Sequence, residues 1–324
     1  MNHLQKIRIP ILIVFCVGLG FASAAVFARY NYFVTPGVNI FEKTKTESPG
    51  IRWLDTVDAS NIVSPISIEG ELIFLGERVP LEDPEVRERL ERELQLNAYW
   101  QSNTMMAMKM SNRYFDLLDT LLVQNGVPAD FKYLALIESG FRNDVSPAGA
   151  VGFWQMVKAT AQIYGLEIND EVDERYNIEK STAAAAKYLS NAKGDLGNWT
   201  IAAASYNLGI TGMMNRIKDQ KTNNFYEMYF NPETSRYIFR MLAMKIIFSN
   251  PKRAGLYVKP EDLYQPYQYK TVAVEGSIDN IADFAAQYNL KYKHIKMLNT
   301  WLREARLTNR EHKKYQIKIL ELRD

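Results

Sequence analysis

The first chemical feature of this chain is an acid that ends an apolar run. Glu138 follows Phe131-Lys132-Tyr133-Leu134-Ala135-Leu136-Ile137, with Leu134 and Ala135, not Lys or Arg, four and three residues before it. Removing an unpaired carboxyl from water raises its pKa. Gly140 marks a helix C-terminus there, whose partial negative charge also favours the protonated form. A carboxylic acid kept protonated near neutral pH is what general-acid cleavage of a glycosidic bond requires. The opposing reading is a solvated or salt-bridged helix end, the commoner fate of an isolated acid.

Three further stretches fit a cleft around that acid. Gly149-Ala150-Val151-Gly152-Phe153-Trp154-Gln155-Met156 reads as a flexible loop turning into a helix that carries Trp154 and Gln155, or equally as a turn with a core Trp. It is not a phosphate loop, because no Lys-Ser/Thr pair follows the glycines. Ala203-Ala204-Ser205-Tyr206-Asn207-Leu208-Gly209 closes a helix with a Tyr-Asn pair, or is a plain helix stop. Glu233-Thr234-Ser235-Arg236-Tyr237 opens another helix, functionally or merely as a cap.

Composition narrows the chemistry. The histidines are His3, His294 and His312, so the region from 30 to 293 offers no Ser-His-Asp triad, Cys-His pair or His-ligated zinc. Cys16 is the only cysteine, which excludes a disulfide. Carboxylates, Tyr and Lys remain, and neither metal nor other cofactor is expected. A net charge of +2 gives no field suited to nucleic acid. Nineteen tyrosines and five tryptophans suit a sugar-binding cleft, although cores use them too.

The elements that must position these residues are helices. Val86, Leu90 and Leu94, then Phe115, Leu118, Leu121 and Leu122, follow the 3.6-residue period. Gly126-Val127-Pro128 stops that pattern, and Asp130 is a candidate cap for the helix leading into Glu138. Helices are predicted at about 155–164, 178–191, 199–206, 211–218 and 233–248, with Asn177 and Asn231-Pro232-Glu233 as start signals. Residues 270–274 and 315–319 read as strands flanking two helical stretches, at about 278–288 and 294–299. The fold class is therefore mainly α: an all-α domain over 81–254, a Tyr/Pro-rich connector over 255–268, and a small α+β module of β-α-α-β order over 269–324. That module is too small to be very stable alone.

Residues 31–80 read as a linker with one strand. Before them, Lys6 and Arg8 precede an uncharged apolar run from Ile9 to Ala28 that Arg29 ends, and Ala22-Ser23-Ala24 is a small-x-small pattern. Residues 1–30 are thus expected to be a signal peptide or membrane anchor that sends the rest outside the cytoplasm.

Five motifs in order give the chain a resemblance to a known family. They are Leu136-Ile137-Glu138-Ser139 with Phe141; Ser146-Pro147-Ala148-Gly149-Ala150-Val151-Gly152-Phe153-Trp154-Gln155; Asp173-Glu174-Arg175 with Ser181-Thr182-Ala183-Ala184-Ala185; Ala204 to Gly209; and Glu233 to Tyr237. From about residue 84 to 250 the chain resembles lytic transglycosylases of the lysozyme-like superfamily, of the membrane-bound lytic murein transglycosylase D type. The resemblance implies a lysozyme-like catalytic domain and, as substrate, the glycan strands of peptidoglycan in the bacterial envelope. Glu138 would act alone as acid and then base, with Ser139, Trp154, Gln155, Tyr206, Asn207 and Tyr237 lining the cleft and Ser139 orienting the carboxyl. The product would carry 1,6-anhydro ends, formed without water. Phe153 and Ser205 stand where Leu and Ala are usual, departures that bear on substrate fit.

The C-terminal unit resembles a degenerate LysM module in Val274-Glu275-Gly276-Ser277-Ile278, Ile281-Ala282, Leu298-Asn299 and Tyr315-Gln316-Ile317, with a start that departs from the usual Gly-Asp-Thr-Leu. Alternatives are a goose-type-lysozyme-like muramidase that hydrolyses the same bond, and a non-catalytic wall-binding scaffold. A monomer is expected, with membrane contact through the N-terminal segment if it is not cleaved.

Overall fold

The computed structural model describes residues 65–321. The expected leader, Lys6 to Arg29, and the linker up to residue 64 lie outside them. Among the described residues no helix is long and apolar enough to cross a membrane.

The described chain opens with an antiparallel hairpin, β1 (Leu72–Phe74) and β2 (Glu77–Val79), joined by a turn at Leu75-Gly76. Phe74, Leu75, Val79 and Leu81 are almost fully buried in the main core. Residues from Ile66 onward therefore belong to that core, which corrects the linker expected to run to residue 80. Two acids weld the hairpin in place. The Glu77 carboxylate accepts from Trp199 N (2.6 Å), Thr200 N (3.0 Å) and Thr200 Oγ1 (2.6 Å), so it caps a helix distant in sequence. Asp130 Oδ2 accepts from Leu75 N (2.9 Å) and Lys245 Nζ (2.7 Å). Asp130 is thus a hairpin anchor, not the helix cap expected of it.

The helices follow: α1 (Pro84–Tyr99), α2 (Gln101–Gln124), α3 (Lys132–Ser139), α4 (Lys158–Ile163), α5 (Ile178–Leu196), α6 (Trp199–Leu208), α7 (Ile210–Gln220) and α8 (Pro232–Ser249). Their starts are chemically explicit. Asp83, Asn177, Asn198 and Asn231 each accept from backbone N–H groups of the first turn, and Pro84 and Pro232 occupy first positions. Buried alanines on α5 (Ala184, Ala185, Ala186) face buried alanines on α6 (Ala202, Ala203, Ala204) and let these helices approach closely. Helix α8 is the central strut. It packs against α1, α3 and α6, burying Ile238, Phe239, Met241 and Leu242.

The C-terminal module pairs β3 (Tyr269–Val274) with β4 (Tyr315–Leu320), antiparallel, with Val272 opposite Ile317. Between them lie α9 (Ile281–Ala286), shorter than predicted, and α10 (Tyr292–Leu298), which starts two residues earlier than predicted. Buried Asn299 holds α10 to β4: its Nδ2 donates to Ile295 O (2.9 Å) and Lys318 O (2.8 Å), and its Oδ1 accepts from Lys318 N (2.8 Å). The module's apolar core of Ile281, Ile295, Leu302 and Ile317 is completed by Val151, Val172 and Tyr176 from the helical domain. Asp173 N also donates to Trp301 O and Arg303 N to Glu171 O, while Glu171 accepts from Arg306 and Thr308.

Truncating the chain after residue 268 should therefore damage the helical domain as well. Exposing Val151, Val172 and Tyr176 is expected to cost about 2 kcal/mol or more, lowering the melting midpoint by at least about 4 °C. Calorimetry of the truncated and full-length chains checks this, and an unchanged midpoint would mean that the two parts are independent.

Candidate active site

Glu138 lies in the last turn of α3, a helix that buries Tyr133, Leu134, Ala135 and Leu136 and is preceded by buried Phe131. Gly140 ends it in the left-handed region (φ 56°), with its N–H donating to Leu136 O at 2.8 Å. The apolar run and the glycine thus act as expected, leaving the carboxyl at a helix end, partly buried.

The acid has spatial partners that its sequence neighbours do not disclose. Tyr237 on α8 donates its hydroxyl to Glu138 Oε1. Arg240, one turn further along α8, donates to Ile137 O (3.1 Å) and brings a positive charge near the carboxyl. The absence of a basic neighbour therefore holds for the sequence but not for the fold. Burial still dominates: desolvation raises the Glu138 pKa above its ordinary value, opposed by the Tyr237 hydrogen bond and the Arg240 charge and assisted by the Glu233 charge. Buried Tyr237 has its own pKa pushed well up, by burial and by the Glu138 charge, so it stays a donor.

A cavity of about 400 Å³ opens onto Glu138 and is lined also by Glu93, Arg142, Arg236 and Arg240. Glu93 is a second acid in this space that sequence reasoning missed. Its oxygens are taken: Arg236 donates to both (2.6 and 3.0 Å) and Arg92 to Oε1 (2.9 Å). The Glu93–Arg236 pair pins α1 to α8 immediately before Tyr237, and so fixes the hydroxyl that holds Glu138. Exposed Asp144 pairs with Arg142 (3.0 Å). Glu167 accepts from Tyr315 OH (3.1 Å) and faces the module.

The remaining predicted residues divide into those near the acid and those that brace it. Ser139 Oγ donates to Ala135 O or Phe153 O (3.0 and 2.9 Å) and accepts from Phe141 N (3.0 Å). It ties the loop 149–156 to α3 and does not bond the Glu138 carboxyl, which corrects its expected role. Trp154 is also corrected. Its ring is fully buried with Nε1 donating to Thr182 Oγ1 (3.0 Å), so it cannot touch a sugar. The Trp154 carbonyl accepts instead from Tyr206 OH (2.7 Å). Tyr206 has its pKa raised by burial and by the nearby Glu138 charge.

Gln155 lies in a turn at φ 46°, and helix α4 begins only at Lys158, later than predicted. Its Nε2 donates to Gly152 O (3.0 Å) and Asp144 O (3.2 Å). Asn207 Nδ2 donates to Glu233 Oε1 (2.8 Å), while Thr234 Oγ1 donates to Asn207 Oδ1 (2.7 Å), which joins α6 to α8. Gln155, Tyr206, Asn207 and Tyr237 do not line the Glu138 cavity. Behind the loop, Arg175 is held by Asp173 (2.7 and 3.0 Å) and donates to Gly149 O and Met156 O, so the Asp173-Glu174-Arg175 motif is a clamp. One signal for the missed residues was legible: Arg240 is three residues beyond Tyr237 and so on the same helical face.

Replacing Tyr237 by Phe should remove a hydrogen bond that favours the ionised form and raise the Glu138 pKa further. The alkaline limb of the kcat/KM profile would then move to higher pH, and turnover would fall by about tenfold or more. A pH–rate profile superimposable on wild type would remove Tyr237 from the site.

Residues 122–229 match the model of the transglycosylase SLT domain, and residues 270–321 match that of the soluble lytic transglycosylase C-terminal LysM-like domain. Membrane-bound lytic murein transglycosylase D of Escherichia coli strain K12 is 29% identical over 222 residues, 65% of this chain and 47% of that protein. A putative tributyltin chloride resistance protein of Alteromonas sp. is 27% identical over 135 residues, 41% of this chain and 65% of that one. The chain spans about half the length of the Escherichia coli relatives it matches. Among solved structures, an inactive mutant of lytic transglycosylase Slt from Pseudomonas aeruginosa is 21% identical with a TM-score of 0.36, covering 46% of this chain and 26% of that one.

Proposed function

We propose that this chain, which carries a transglycosylase SLT domain and a LysM-like C-terminal domain, is a peptidoglycan lytic transglycosylase that cleaves the MurNAc-β-1,4-GlcNAc bond with Glu138 alone. The observation that carries this reading is a single carboxyl held at a helix end by Tyr237 and biased towards its protonated form by burial. The other acid in the same cavity, Glu93, has both oxygens engaged by arginines. Two-carboxylate glycosidases need a second acid free to act as base or nucleophile.

The chemistry balances with one acid. Glu138 gives its proton to the glycosidic oxygen as the C1–O bond of N-acetylmuramic acid breaks, and the acetamido oxygen of that sugar stabilises the cation at C1. The Glu138 carboxylate then takes the proton of the 6-hydroxyl, whose oxygen bonds C1. The enzyme is left as it began and the product carries a 1,6-anhydro ring. Tyr237 orients the carboxyl through both steps. Gln155 and Asn207, which do not line the Glu138 cavity, are candidates for contact with sugars further along the strand, while Ser139 and Tyr206 act through the loop they hold.

Peptidoglycan lies outside the cytoplasmic membrane, so this activity requires export, for which Ile9 to Ala28 is the candidate signal or anchor. Incubation with purified sacculi tests the reading: soluble muropeptides should be released without added metal. Sacculi left intact by the folded full-length chain would overturn it.

A further inference from the structure

We propose that Trp100 is a sugar-stacking platform at the mouth of the Glu138 cavity, holding the N-acetylated hexosamine chain of the substrate. The inference rests on the glycan-cleaving reading above and concerns a residue outside the matched transglycosylase segment, which begins at residue 122. Trp100 lines the same cavity as Glu138, yet it is 64% exposed. Tryptophan is normally well buried, and its rings combine large apolar area with a polar tip.

The backbone that carries the ring is fixed by local hydrogen bonds. Trp100 is the single residue between α1 and α2, with ψ 52° breaking the helical path. Its N–H donates to Leu96 O and its carbonyl accepts from Thr104 N, both at 3.0 Å. Buried Thr104 Oγ1 donates to Asn97 O at 2.7 Å, locking the joint from the other side. The backbone beneath the platform is therefore preformed, which lowers the ordering cost of binding.

Its surroundings suit a pyranose with an acetamido group. Leu96 and Met106, also exposed and cavity-lining, extend the apolar floor, while Asn97 and Asn103 line the same cavity with amides that can pair with hydroxyl and acetamido groups. A sugar offers an apolar C–H face to stack and a polar rim to bond. A membrane surface would also suit exposed Trp, but it would not enter a cavity that ends at a carboxyl and arginines.

The test measures binding without chemistry. In the Glu138→Gln background, full-length protein is titrated with a linear β-1,4-linked N-acetylglucosamine oligomer while the heat of binding is recorded. Adding Trp100→Ala should weaken affinity by about tenfold, Trp100→Phe should recover part of it, and Tyr229→Ala, a still more exposed aromatic outside the cavity, should change nothing. In the cleaving enzyme, Trp100→Ala should lower kcat/KM on sacculi mainly through KM. Undiminished oligomer binding by the Trp100→Ala variant would overturn the proposal. So would a Trp100-dependent response to phosphatidylglycerol vesicles without one to the oligomer. Because binding is read apart from cleavage, a failure here is distinguishable from a wild-type chain that cuts nothing.

Discussion

Glu138→Gln is expected to reduce release of muropeptides from sacculi by about a thousandfold or more while leaving the fold intact. The amide keeps the size of the side chain and can still accept from Tyr237, but it can neither give nor take the catalytic proton. The variant also carries a stability signature. In the folded chain the Glu138 pKa lies above its ordinary value because of burial. The native state therefore binds this proton more tightly than the unfolded chain, and the group's contribution to stability falls as pH rises from about 4.5 through the folded value. Glutamine has no such dependence. The melting midpoint of the variant relative to wild type should thus increase with pH across that window, by differential scanning calorimetry. A variant that loses both activity and cooperative unfolding would instead assign Glu138 a structural role.

Gly152→Ala should be the most damaging small change away from the acid. A Cβ there would lie 2.0 Å from the Arg175 carbonyl oxygen, at a backbone φ of +77°. Left-handed alanine costs roughly 1–2 kcal/mol, and the clash adds about 1–3 kcal/mol unless the backbone moves. The midpoint should fall by about 10 °C, with activity reduced at temperatures where the chain stays folded, because the turn that carries Gln155 must shift off its clamp. Gly149→Ala separates the two causes: φ is +75° there, but no atom lies within 4 Å of the added carbon. It should show only the smaller loss. Equal effects at the two positions would mean that contact with Arg175 is unimportant.

Local signals carried much of the fold. Asn177 and Asn231-Pro232 start helices because a side-chain oxygen satisfies first-turn N–H groups, and that chemistry is legible within four residues. Gly140 and the apolar run before Glu138 were legible in the same way. Partners from distant elements were not. Arg240 reaches Ile137 across the α3–α8 contact, and Glu93 meets Arg236 only because α1 packs on α8. Asp130 looked like a cap, but Leu75 and Lys245 compete for its carboxylate more effectively. Trp154 shows the same limit on side-chain direction. A Trp beside a Gln in a glycine-rich loop has two faces available, and only Thr182 on a separate helix decides that it turns inward. The segment before residue 80 reads as a linker with one strand because its apolar pieces are short, and their burial depends on Glu77 reaching the start of α6.

Whether Glu138 drives bond cleavage without water is decided by digesting sacculi in water enriched in heavy oxygen and weighing the released muropeptides. The products should carry 1,6-anhydro ends and take up no heavy oxygen at C1. Reducing ends labelled with heavy oxygen would contradict cleavage without water and make the enzyme a hydrolase.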